Sequence, residues 1–466
     1  MHRYEVVFIA TPALGNLVPA VEFANLITKH DPRFSATVLT FSMPQRPLIN
    51  TYVQERPSSS TNVRFLHLPS VDPPTPDQYQ STIAFLSLFI HNHKLQVKQA
   101  LLNLIPTESK PHSPPLAAVF VDMFSTPLID VAAELAVPCY LFFPSPASFL
   151  GFALHLPPVD AVKSESEFVV PSFKNPLPRP VLPKLVLDCN DSYTWFSYHA
   201  GRYRETKGIV VNTLQELEPH ALQSLYSDSK WPRVYPIGPV LDLAGSAQWD
   251  PKPAQYKRIM EWLDQQAASS VVFLCFGSMG SLKANQVEQI AVGLERAGVR
   301  FLWALREPPK AQLQDPTEYA NHEDVLPDGF LERTAGIGLV CGWVPQVKVL
   351  AHNAVGGFVS HCGWNSILES LWHGVPIATW PVYAEQQMNA FQMVKELGLA
   401  LEIKLDYRVG DLVRAEEVEK GVRSLMKGSD EIRRKVKEMS DKCRGAFMEN
   451  GSSYANLGSL IQELTN

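Results

Sequence analysis

The residues best able to do chemistry crowd into one short stretch. It runs Trp343-Val344-Pro345-Gln346, then His361-Cys362-Gly363-Trp364-Asn365-Ser366, then Glu369, and closes on Pro381-Val382-Tyr383-Ala384-Glu385-Gln386. An apolar run, Gly356–Ser360, leads into His361-Cys362-Gly363, and a helix opens near Asn365. Gly363 permits a tight turn and close backbone approach, while a helix start offers unpaired N–H groups and the positive end of its dipole. Asn365, Ser366 and the His361 imidazole add side-chain donors, which suits a phosphate site that needs neither lysine nor metal. Glu369 follows Asn365 by four residues and faces the same side one turn on. A carboxylate beside such a site suits bidentate bonding to ribose hydroxyls. Taken singly, Asn365 and Ser366 are explained as well by helix capping and Glu369 by solvation. Taken together, the set points to phosphate and ribose.

The surrounding elements must hold these residues in place. Val6–Ala10, Ala36–Phe41, Val63–Leu68, Leu116–Val121 and Pro138–Phe143 read as strands, with helices over Val18–Thr28 and Thr126–Leu135. Ile209–Asn212 and Val234–Pro239 continue the strands, and proline-rich Pro157–Lys184 reads as loop. Alternation restarts with strands Ser270–Phe276, Phe301–Leu305, Gly338–Cys341, Gly356–Ser360 and Ile377–Thr379 and helices Ala284–Gly298, Asn365–His373 and Glu385–Leu397. The charged segment Ala415–Met448 reads as surface helices. This βαβ punctuation predicts two parallel-sheet, Rossmann-like α/β domains facing each other across a cleft where strand C-termini gather. The expected division is 1–240, a linker 241–253, a second domain 254–445 and a helical tail 446–466 that packs back on the first domain.

Composition sets outer limits. Of 466 residues, 45% are apolar and 19% charged, which excludes a disordered or coiled-coil chain. A net charge of −6 offers no footprint for nucleic acid or an anionic membrane. The six cysteines form no C-x-x-C pair, so neither a disulfide framework nor a zinc site is expected. No apolar stretch reaches the length of a membrane span, and a cytoplasmic monomer is expected. Neither G-x-G-x-x-G after a strand nor G-x-x-x-x-G-K-[ST] occurs, which disfavours a dehydrogenase or a P-loop NTPase.

The 44 residues from Trp343 to Gln386 resemble the signature box of plant family-1 UDP-glycosyltransferases, which have the two-domain GT-B fold. The match includes W-x-P-Q, the H-C-G-W-N-S core, the E-S-L-x-x-G-V-P continuation and the E-Q ending. Similar patches recur at Asp122-Met123-Phe124, Asn212-Thr213, Ile237-Gly238-Pro239, Trp262-Leu263-Asp264 and Phe276-Gly277-Ser278. The resemblance implies that Trp343 stacks on uracil, Val344 presents backbone groups to its edge, and Gln346 and Glu369 hold the ribose. It implies that His361, Gly363, Asn365 and Ser366 surround the diphosphate, with Ser278 closing over it. Trp364, Glu385 and Gln386 would contact the sugar, and a terminal glutamine goes with glucose. The implied reaction is inverting transfer of glucose from UDP-glucose, as donor substrate with no cofactor or metal, to a hydroxyl of a hydrophobic small molecule.

That reaction normally passes the acceptor proton to a histidine held by an aspartate. Asp122, at the end of Leu116–Val121, is the aspartate candidate. The family's Gly-His pair is here Gly15-Asn16, and an amide cannot accept that proton. The chain is then an engineered His-to-Asn variant, an enzyme whose base lies elsewhere (Asp122 itself, directly or through water) or whose acceptor is acidic enough to need little help, or a UDP-sugar-binding protein with impaired turnover. Phe85, Leu88, Phe143, Phe149 and Phe196, with Tyr383 at the edge, are the acceptor-pocket candidates, and aromatic walls suit flat phenolics such as flavonoids. Each of these side chains is equally compatible with core packing. His91 and His93, on an apolar segment, are read as solvated or capping residues.

Overall fold

The computed structural model describes residues 3–43, 46–55, 62–106, 113–245, 253–311, 313–406, 411–428 and 430–465. The chain divides into two compact units. The first comprises 1–176, 185–241 and 445–466, and the second 177–184 and 242–444. Residues 246–252 of the expected linker lie outside the described residues.

In the first unit β1 (Tyr4–Ile9), β2 (Phe34–Thr40), β3 (Val63–His67), β4 (Leu116–Asp122), β5 (Cys139–Phe143), β6 (Gly208–Val211) and β7 (Arg233–Pro236) form one parallel sheet. Their order is β3-β2-β1-β4-β5-β6-β7. Val6, Val7, Val119, Val121, Leu141 and Phe142 are at most 1% exposed, as a parallel sheet covered on both faces requires. Chain order reverses between β1 and β4, so the loops that leave these two strands diverge at a topological switch point. Helix α1 (Leu14–His30) starts in the loop after β1.

The second unit repeats the plan with β8 (Val271–Cys275), β9 (Arg300–Ala304), β10 (Gly338–Cys341), β11 (Val355–Ser360), β12 (Ile377–Thr379) and β13 (Ala400–Glu402). The order β10-β9-β8-β11-β12-β13 is again parallel, with its switch point between β8 and β11.

Several expectations shift. Thr126–Leu135 is a 3-10 turn, Thr126–Leu128, followed by a short helix, Ile129–Glu134. The helix expected over Glu385–Leu397 is α-helical only at Gln386–Phe391, then widens to a π-helical turn over Gln392–Glu396. The loop 157–184 contains a helix, Val159–Ser164, and its last eight residues belong to the second unit. Three-residue β13 is too short to leave a pattern in the sequence. Helix α2 (Thr82–Asn92) buries Ile83, Ala84, Phe85, Leu86, Phe89 and Ile90 around most of its circumference, which erases the apolar periodicity that marks a surface helix. Further helices used below are α3 (Ala147–Leu154), α4 (Asp191–Arg202), α5 (Gln346–Leu350), α6 (Trp364–His373), α7 (Gln386–Phe391) and α8 (Ser452–Leu464). Near the end of α8, Glu463 accepts hydrogen bonds from the hydroxyls of Tyr140, at 2.8 Å, and Tyr235, which ties residues 445–466 to the first unit. Among the described residues no helix is long and apolar enough to cross a membrane.

Candidate active site

In the second unit the loops after β8 and β11 leave the switch point side by side. The turn that ends β11 is sharper than glycine alone explains, because its left-handed residue is Cys362 (φ 62°) and not Gly363. Gly363 is extended (φ −62°, ψ 139°). It must be glycine because a Cβ there would run into the His361 ring. Gly277 combines both demands, with φ 80° and a Cβ direction that also meets His361. The strained turn is held by the Cys362 amide donating to Ser360 Oγ at 3.1 Å and by Asn389 Nδ2 donating to the Cys362 carbonyl at 3.0 Å.

His361 is 5% exposed. Burial, with the Arg306 guanidinium adding to it, pushes the imidazole down to about 3, so the ring is neutral at pH 7. It therefore offers a hydrogen bond at the opening of α6 and carries no charge of its own. Asn365 is half-buried in the first turn of α6, and Ser278 is half-buried in the loop after β8.

Gln346, Ser366 and Glu369 converge. Gln346 opens α5, and its Nε2 donates to Ser366 Oγ at 2.7 Å and to Glu369 Oε2 at 2.6 Å. All three are buried, so a carboxylate, an amide and a hydroxyl sit preorganised along one side of α6. Trp343 is half-buried, and Val344 behind it is 3% exposed. The Trp343 amide donates to Glu318 Oε1 at 2.9 Å, and its carbonyl accepts from Gln255 Nε2 at 2.9 Å. The guanidinium carbon of Arg306 lies 4.6 Å from the centre of its ring.

The three expected sugar contacts sit in different surroundings. Trp364 is 2% exposed, so its indole is interior packing and not a surface for sugar hydroxyls. Gln386 uses its Oε1 within the loop, accepting from the amides of Val382 and Tyr383 at 2.9 Å each, while Glu385 beside it stays half-buried.

Arg306, Glu318 and Gln255 escaped the sequence reading. Arg306 follows the C-terminal end of β9, where functional groups of such folds gather, and that rule would have found it. Glu318 and Gln255 lie in polar stretches with no distinguishing pattern.

In the first unit Asp122 closes β4 and is 1% exposed. Its Oδ2 accepts from the Thr11 amide at 2.7 Å and from Asn16 Nδ2 at 3.0 Å. Its Oδ1 accepts from Thr11 Oγ1 at 2.8 Å and from the amides of Phe124 and Ser125 at 3.2 and 3.0 Å. Burial raises the Asp122 pKa while these donors oppose the rise. Thr11, in the loop after β1, was also missed.

The expected acceptor residues divide. Phe85, Phe143, Phe149 and Phe196 are 2% exposed or less. Phe149 of α3 stacks on Phe196 of α4 at 5.7 Å and packs against Phe143 at 5.9 Å. These four are core, because an open wall needs surface they do not have. Leu88 keeps partial exposure. Tyr383 belongs to the second unit and stacks on His361 at 6.2 Å and 30°. Burial raises its hydroxyl to about 12, so it stays protonated. Half-buried Phe124, two residues after Asp122, is an additional aromatic in the first unit. His93 is core, 1% exposed, bonding the Phe89 carbonyl at 2.8 Å through Nδ1.

Comparison with known proteins agrees with this layout. Residues 192–428 match the model of the family described as UDP-glucoronosyl and UDP-glucosyl transferase. UDP-glycosyltransferase 43 of Pueraria montana var. lobata is 76% identical, with the alignment covering 100% of each chain. UDP-glucose flavonoid 3-O-glucosyltransferase 6 of Fragaria ananassa is 45% identical over 99% of this chain and 98% of that one. The crystal structure of Medicago truncatula UGT71G1 complexed with UDP-glucose superposes with a TM-score of 0.91 at 40% identity, covering 100% of this chain and 99% of that one. With two Rossmann-like units, a signature box folded into a convergent polar site and relatives matched end to end, the chain belongs to the plant family-1 UDP-glycosyltransferases and has their GT-B fold.

Proposed function

We propose that this protein transfers glucose from UDP-glucose to a hydroxyl of a flavonoid or another flat phenolic, with inversion, giving a β-glucoside. The observation that carries the reading is the convergence of Gln346, Ser366 and Glu369 at the opening of α6, close in sequence to His361 and Asn365. A carboxylate suits the paired hydroxyls of ribose, and helix N–H groups with neutral donors suit a diphosphate. The UDP-glucose bound to the Medicago relative and the flavonoid named for the strawberry relative support the donor and acceptor classes.

In the displacement the acceptor oxygen attacks the anomeric carbon, the bond from that carbon to the UDP oxygen breaks, and UDP leaves with the electron pair. The developing charge falls where the amides opening α6 and the His361 N–H can receive it. The acceptor proton must go elsewhere. Asp122 is a poor direct base, because five donors already fill the four or so lone-pair sites of its carboxylate. The proton goes to solvent, and phenols acidic enough to ionise readily are the favoured acceptors.

One observation favours a second reading, a UDP-sugar-binding protein with impaired turnover. Asn16 occupies the place beside Asp122 where a histidine would serve as base. Incubation with UDP-glucose and a flavonoid pool, with products read by mass, separates the two. A gain of one hexose on a flavonoid supports transfer, and UDP binding without any product supports the second reading. UDP-galactose and UDP-xylose in competition test the choice of glucose.

A further inference from the structure

Arg306 is 7% exposed and pairs in register with Glu318, and the carboxylates of Asp315 and Glu318 act on it electrostatically. A buried guanidinium is costly unless its donors and charge are used. Its Nη2 donates to the carbonyl of Gly277 and, at 3.4 Å, to that of Gly280. Its carbon lies 4.6 Å from the centre of the Trp343 ring. One buried cation thus touches both the loop after β8 and the aromatic platform of W-x-P-Q.

We propose that Arg306 is a positioning residue for the nucleotide donor, orienting the Gly277–Gly280 loop for the diphosphate and backing the Trp343 ring for the base. The inference rests on the donor site proposed above. Both peptides are trans, so a carbonyl drawn toward Arg306 turns the following N–H the opposite way. Fixing the Gly277 and Gly280 carbonyls therefore aims the amides of Ser278 and Ser281 away from the guanidinium. A cation on the carbonyl also polarises each peptide and makes its N–H a stronger donor. The loop cannot reach this state with other residues, since a Cβ at Gly277 meets His361 and one at Gly280 meets the Phe276 backbone. On the other side, the guanidinium carbon lies over the Trp343 ring, which backs the ring for stacking. Arginine is specified over lysine because its delocalised cation lies over an aromatic ring while a single nitrogen, Nη2, holds both carbonyls.

The test compares the wild type with Arg306→Leu and Arg306→Lys, using calorimetric titration with UDP and with uridine and steady-state kinetics. The expected result for Arg306→Leu is UDP affinity down at least tenfold and KM for UDP-glucose up by a similar factor, with the acceptor KM within twofold. The gain in affinity from uridine to UDP shrinks in both variants, because that gain reports the diphosphate amides. Should Arg306→Leu not fold, Arg306→Lys decides: three- to tenfold weaker UDP binding is expected. UDP affinity within twofold of wild type in Arg306→Lys, or an unchanged ratio of UDP to uridine affinity, overturns the proposal, as does a lower kcat with no change in the UDP-glucose KM. Failure of the wild type to bind UDP at all would overturn the donor-site reading instead, a result visible before any variant is made.

Discussion

The carboxamide of Asn16 donates to Oδ2 of Asp122 at 3.0 Å. The two residues are held by α1 and β4, whose parent strands β1 and β4 flank the switch point of the first sheet. The aspartate is thus in place to orient a side chain at position 16, and the side chain it orients cannot take a proton.

Restoring histidine tests what that costs. Asn16→His is expected to raise the glucosylation rate at least tenfold, since positioned proton transfer is worth roughly 10²–10⁴-fold. With asparagine at position 16, rates across a phenol series should climb as the phenol becomes more acidic, and the histidine variant should flatten that trend. Equal rates and equal trends for the two forms would show that the amide is no handicap.

Asp122→Asn changes one acceptor oxygen into an amide that confronts other donors. Either orientation leaves at least two of the five donors without a partner, including the Thr11 amide or the amides of Phe124 and Ser125. The expected loss is about 2 kcal/mol of stability or more, seen as a lower urea midpoint, with turnover reduced and UDP affinity unchanged. An unaltered midpoint would contradict the hydrogen-bond network described.

Acid stability should report two buried histidines. His199 is fully buried, its Nε2 2.8 Å from Ser87 Oγ and its Nδ1 2.7 Å from Thr126 Oγ1, and burial pushes it down to about 3. His361 is likewise pushed down to about 3. Unfolded histidine titrates near 6.5. Between about 3 and 6.5 the unfolded chain binds the extra protons, so these contributions are complete above 6.5 and fade as pH falls toward 3. Each histidine adds a slope of about 1.4 kcal/mol per pH unit within that window. In His199→Gln the difference in urea midpoint between pH 4.5 and 6.0 should shrink, and an equal difference would refute the assignment.

What the sequence disclosed and what it hid follow from range. Strands β1, β4, β8 and β11 are continuous apolar runs, so they stand out, and the box from Trp343 to Gln386 is local enough to read as one unit. Asn365 and Glu369 share a helix and are related by its pitch. The bond between Gln346 and Glu369 joins two helices through a strand and two loops, so spacing shows only that both exist. Arg306 depends on packing against Gly277 and Trp343 from different loops, which no window of sequence contains. The acceptor aromatics were misjudged for a related reason. Phe143, Phe149 and Phe196 look alike as wall or as core until their neighbours are known.

The most direct test is a calorimetric titration of the wild-type protein with UDP beside Glu369→Ala. Saturable binding below millimolar concentration is expected for the wild type, weakened at least tenfold by loss of the carboxylate proposed to hold the ribose, as hydrogen bonds to a charged group imply (about 1.5–3 kcal/mol). No heat at millimolar UDP, or equal affinity in the two proteins, would contradict a nucleotide seated along α6.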